Sequence, residues 1–128
     1  MQAIKITLND QLELSADLLD SPTANAVADA LPVEATLSAW GDEQYFGIPV
    51  QADAEPGASD VVQLGELAYW PPGNAFCIFF GPTPASQGHN DIRAASPVNV
   101  IGSLRSVPVD DLRAIRSGAS VRVEALEE

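Results

Sequence analysis

The chain has 128 residues, 46% of them apolar, with eighteen acidic against six basic side chains and a net charge of −12. That length suits one domain able to fill a core, and the charge makes phosphate backbones and anionic membrane surfaces unfavourable partners. A single cysteine excludes an intramolecular disulfide and a zinc site built from several thiolates.

Ile4, Ile6 and Leu8 alternate with Lys5 and Thr7, Asn9-Asp10 interrupts, and Leu12 and Leu14 resume the period of two, which predicts an opening β-hairpin. The same alternation leaves no unbroken apolar segment of signal-peptide type, and no stretch approaches the roughly 20 apolar residues of a membrane-spanning helix. Cytoplasmic residence is the expected default. Ser21-Pro22 reads as an N-cap with proline at the first helical position, and Ala24, Val27, Ala28 and Leu31 share one face, so a helix is expected from Pro22 to about Leu31, ended by Pro32.

Strands follow at VEATLSAW and EQYFGIPV, separated by the turn pair Gly41-Asp42. Residues 52–60 lack an apolar pattern and are expected to be loop. VVQLGELAYW resumes as strand, with Gly65 a bulge or bend. In Pro71-Pro72-Gly73-Asn74 the sequence predicts a type II turn with positive φ at Gly73, making Leu67 to Phe80 a hairpin. Its second arm, AFCIFF, has no polar alternation and is expected to be covered on both faces, with Cys77 packed as a small apolar residue. Residues 81–97 read as loop and PVNVIGSL as strand. Val109 to Ser117 is a short helix, with Asp110 and Asp111 in its first turn and Gly118 beyond its end. SVRVEAL is a last strand. About eight short strands and two helices without βα alternation predict a mainly β fold, a closed antiparallel barrel with helices at its ends, forming one domain over residues 1–128.

Three runs, WGDEQYF (Trp40 to Phe46), GELAYWPPGNAFCIFFGPTP (Gly65 to Pro84) and ASPVNVIG (Ala95 to Gly102), together resemble the small single-domain cyclophilin-like proteins of bacteria and archaea. The resemblance spans nearly the whole chain in order. It implies a closed eight-stranded cyclophilin-type barrel, and no agreed activity attaches to the group. True cyclophilins are peptidyl-prolyl cis-trans isomerases whose site, on the outer barrel face, uses an arginine near a Phe-His pair together with aromatics that hold the proline ring. No Phe-His-x-Arg stretch exists here and no arginine precedes Arg93, so the catalytic arginine is not carried over by motif. The run FCIFFG matches the aromatic strand, and the resemblance implies Phe79 or Phe80 as pocket wall.

The residues themselves offer few other chemistries. His89 with Asp91 could pair a base with an orienting carboxylate, or serve only to solvate a loop. Asp42-Glu43 at a turn reads as a solvated tip rather than a metal or acid-base dyad. Neither a G-x-S-x-G elbow nor a phosphate-binding glycine loop occurs, and neither metal nor cofactor is expected. The aromatics of residues 45–80 cannot all enter one core if strands alternate. Tyr45 and Trp70, at strand ends beside turns, are candidates to line a concave site with Phe79. Asn99, set among valines, either satisfies a backbone irregularity or faces that site.

The expected function is therefore binding of a small molecule or short prolyl peptide without isomerase activity, with no nucleic-acid or membrane partner. One alternative is a weak isomerase whose arginine, Arg93, comes from a different part of the chain. Another is an uncharacterised enzyme using His89.

Overall fold

The computed structural model describes residues 2–127. The opening hairpin is present as β1 (Gln2–Leu8) and β2 (Leu12–Leu18), turned by Asn9 and Asp10, both at positive φ. Asparagine and aspartate tolerate that left-handed region better than other side chains, which is why the hairpin turns there. Ser21 caps α1 (Pro22–Ala30) by accepting from the Ala24 N–H at 3.3 Å. The helix ends one residue short of the expected limit.

The remaining elements are β3 (Val33–Thr36), β4 (Ser38–Ala39), β5 (Glu43–Gly47), β6 (Ser59–Val62), β7 (Glu66–Trp70), β8 (Ala75–Phe79), β9 (Ile92–Leu104), α2 (Val109–Ala114) and β10 (Ser120–Ala125). The main ladder runs β3-β10-β1-β2-β9-β7-β8-β5-β4, antiparallel throughout. Its two ends, β3 and β4, are one strand interrupted only at Leu37, so the chain itself completes a ring of eight strands from the nine on that path. This is a mainly β, antiparallel barrel, as the sequence predicts.

Alternation decides the filling of the ring. Ile4, Ile6, Leu8, Leu14, Ala16, Leu18, Leu67, Tyr69, Phe76, Ile78 and Ile101 point inward and are buried. Phe46 and Phe76 stack within this core with ring centroids 5.0 Å apart. At one end α1 seats Ala24 and Val27 against the core, and at the other α2 contributes Leu112. Gln44 Nε2 donates to the Leu112 carbonyl at 2.9 Å, and Arg113 grips Asp42 at 2.8 Å, fixing α2 over the β4–β5 turn.

Several sequence expectations change in detail. VVQLGELAYW is not one strand: Gly65, at φ +83, bends the chain between β6 and β7, and β6 leaves the main path to pair with β9. Pro71–Gly73 forms a 3-10 turn in place of a type II turn, and the left-handed residue is Asn74, not Gly73. The expected loop through residue 97 stops at Asp91. β9 is thirteen residues long: its second half belongs to the barrel, while residues 92–98 lie across the barrel's outer face.

That outer layer is a second apolar cluster. Val62, Ala94 and Val98 cover Ala68, Cys77 and Phe79, so β8 is buried on both sides, as its unbroken apolar run predicts.

Candidate functional site

The outer cluster is incomplete beside the β4–β5 turn. Between the flap of residues 92–98 and the β4–β5 turn lies a cavity of about 280 Å³ lined by Trp40, Glu43, Tyr45, Trp70, Ala94, Ala95 and Val98. Its construction follows from the ladders. Trp40 and Glu43 exchange both backbone hydrogen bonds across the two-residue turn Gly41-Asp42, at 2.9 and 3.2 Å, which sets their side chains on the same face. Tyr45 lies two residues beyond Glu43 and therefore shares that face. Tyr45 is opposite Cys77, Cys77 is opposite Ala68, and Trp70 is opposite Ala75, so β8 separates the β5 wall from the β7 wall. The Trp70 Nε1 donates to Ser96 Oγ at 2.7 Å, tying the indole to the flap.

Glu43 supplies the chemistry. Only 6% of it is exposed, and among the described residues no cation pairs with it. Burial pushes its carboxyl up from 4.5 to about 7, against the opposing effect of a hydrogen bond with the Cys77 thiol. Burial, and then the Glu43 charge, push the Cys77 thiol well above its ordinary value. Cys77 is thus packing and a weak donor, not a nucleophile.

The sequence candidates separate. Tyr45 and Trp70 line the cavity together. Phe79, fully buried, supports the face from beneath without lining it. Asn99 belongs to the opposite, inner side. Its Nδ2 donates to Thr23 Oγ1 and to the Asp53 carbonyl, each at 3.0 Å, and its Oδ1 accepts from the Glu55 N–H at 2.8 Å. The carboxylate of Glu55 in turn accepts from the Thr23 N–H and hydroxyl, so the asparagine fastens the loop of residues 52–58 to the start of α1. Of its two sequence readings, satisfying irregular backbone is the one the contacts match.

Arg93 does not line the cavity. Its guanidinium bonds Asp91 at 3.0 Å and lies 3.6 Å from Asp60. His89 is exposed beside a second cleft with Val61, Leu64 and Asp91. The Asp91 oxygens turn to Arg93 and to the Gln87 N–H at 2.8 Å, and the Arg93 contact holds that carboxyl below its ordinary range. They are not arranged to orient an imidazole.

Sequence reasoning passed over Trp40 and set Glu43 aside with Asp42 as a solvated tip. The solvated-tip expectation holds for neither half of the turn pair, since Asp42 is held by Arg113 and Glu43 is buried. Counting outward from Gly41-Asp42 as a two-residue turn would have paired Trp40 with Glu43 and placed Tyr45 beside them.

Comparisons with known proteins agree with this architecture. A family model described as cyclophilin-like matches residues 2–124. A solution structure, that of the hypothetical protein AF2241 from Archaeoglobus fulgidus, is 41% identical, with a TM-score of 0.81 over 98% of this chain and 95% of that one. No curated protein matches. With a family match over nearly its full length and a ring of strands of the corresponding kind, the chain belongs to the cyclophilin-like family.

Proposed function

We propose that this protein is a binding module that takes a small molecule or short peptide in the outer-face cavity, without prolyl isomerase activity. The carrying observation is the cavity's lining: Trp40, Tyr45 and Trp70 line it together with Ala94 and Val98, and its carboxyl group, Glu43, is buried. Rotation about a prolyl bond faces a barrier of about 18–20 kcal/mol, and catalysis needs a donor aimed at the prolyl nitrogen in a water-poor site. Glu43 carries no positive charge in either protonation state, so it does not reproduce a guanidinium in that role. Arg93, the arginine nearest the flap's start, is held by Asp91 and Asp60. An apolar concavity with few polar groups is the usual form of a small-ligand site.

A coupled protease assay on a prolyl peptide tests the catalytic half of this reading. Background turnover, the same in wild type and Arg93→Ala, is expected. Robust turnover abolished by that substitution would overturn the proposal in favour of an isomerase with a relocated arginine. Thermal-shift screening against a metabolite library tests the binding half, because a ligand that binds only the native state raises the midpoint by mass action. Stabilisers should lose their effect in Trp70→Ala.

A further inference from the structure

We infer that the cavity is a cation site for the alkylated ammonium head of a small molecule, with Trp40, Tyr45 and Trp70 as its walls and Glu43 as its counter-ion. This deepens the binding reading above and rests on it.

Three aromatic side chains around one concavity are a poor match for an anion and a good one for a cation, because the ring faces carry the negative part of the quadrupole. An acid is then the natural fourth group. Glu43 sits deep in the lining without a cation from the chain itself, while its neighbour Asp42 is bonded to Arg113 and Asp91 to Arg93. Of the two adjacent turn acids, the protein thus pairs Asp42 with a cation and leaves Glu43, inside the cavity, without one.

The remaining walls decide which cation. Ala94, Ala95 and Val98 offer no hydrogen-bond acceptors from their side chains, so a compact, strongly hydrated ion would exchange its water for little beyond the Glu43 carboxylate and the Tyr45 hydroxyl. An alkylated ammonium carries its charge on apolar groups and is weakly hydrated. At about 280 Å³ the cavity is at the lower end of ligand sites and suits a head group of that size.

Few titratable groups face Glu43 from the surrounding elements: the Cys77 thiol from β8 and the Tyr45 phenol from its own strand, whereas β7 presents Trp70 and the flap presents alanines and Val98. Cation affinity should accordingly follow the ionisation of Glu43 alone between pH 6 and pH 8.

Choline and its uncharged isostere 3,3-dimethylbutan-1-ol are the probes. Each is titrated into the protein at pH 6 and pH 8, with calorimetry and the indole N–H resonances of Trp40 and Trp70 as readouts. Choline should perturb both indoles and bind more tightly at pH 8 than at pH 6, by up to about tenfold, the limit for a counter-ion ionising at about pH 7. The isostere should bind more weakly and without pH dependence. Glu43→Gln should abolish the pH dependence and reduce the preference for choline to what the aromatic walls alone provide. Trp40→Leu, a half-buried turn position that leaves the acid intact, should weaken choline more than the isostere and serves if the Glu43→Gln variant is perturbed.

Equal binding of the isostere, a pH-independent choline affinity, or indoles unmoved by choline in the millimolar range would each overturn the inference. None of these touches the broader reading. That fails on different results, namely prolyl turnover or a metabolite library with no stabilising member.

Discussion

Glu43→Gln is the substitution with the most to reveal about stability, because it keeps the side chain's shape and removes only its ionisable proton. The native state holds the Glu43 carboxyl proton at about pH 7, whereas the unfolded chain releases it near 4.5. With the native pKa raised, the folded form binds more protons across that window, so the wild type loses stability as pH rises through it. Above about pH 7 the loss is complete. At about 1.36 kcal/mol per pH unit the window corresponds to about 3 kcal/mol. The glutamine variant, with nothing to ionise at this position, would have no such window. Urea titrations of both proteins between pH 4 and pH 8.5 should therefore give matching stabilities at pH 4 and a growing advantage for the variant, reaching about 2–3 kcal/mol by pH 8. All other carboxylates titrate in both proteins, so the difference curve isolates Glu43. A flat difference curve, or a variant less stable at pH 8, would show that the carboxyl is ionised and satisfied in the native state.

Three further outcomes follow from the packing. Ile78 and Phe79, both fully buried on opposite faces of β8, should each lose about 2–5 kcal/mol on truncation to Ala in denaturant titration. Removing three hydrogen bonds by Asn99→Ala should destabilise by about 1–3 kcal/mol and speed amide exchange at Glu55, which donates to that side chain. Gly102→Ala should lose at least about 1–3 kcal/mol, since its added Cβ would lie 2.2 Å from the Asp17 carbonyl oxygen across the β2–β9 ladder. A neutral Gly102→Ala would mean that the ladder can shift there freely.

The barrel was readable from residues because its signals are local. Ile4, Ile6 and Leu8 alternate in sequence, Ser21-Pro22 caps a helix within four residues, and AFCIFF declares two buried faces without reference to any partner. The flap was not. ASP at residues 95–97 has loop composition, and β9 extends through it because Val61 and Val62 pair with Arg93 and Ile92 from another part of the chain. The site was half legible for a related reason. Tyr45 and Trp70 advertise themselves by size at strand ends, whereas the burial of Glu43 depends on a flap whose residues are dozens of positions away. Asn99 announced a polar function among apolar neighbours, and only the fold reveals that its partners are backbone groups and the Thr23 hydroxyl.

Closure of the ring through Leu37 has a consequence for a chain that emerges from the ribosome in order. β10 lies between β1 and β3 in the ladder, pairing Val123 with Ile6 on one side and with Val33 on the other. Until residues 120–125 have been made, β1 and β3 each present an unpaired edge, and the hydrophobic interior formed by Ile4, Ile6 and Leu8 has a gap the width of one strand. Unpaired apolar edges recruit other strands. The final strand to be synthesised among those described is thus the one that seals the molecule, and a chain truncated before residue 120 would find its missing pairing in a neighbour's strand rather than in its own.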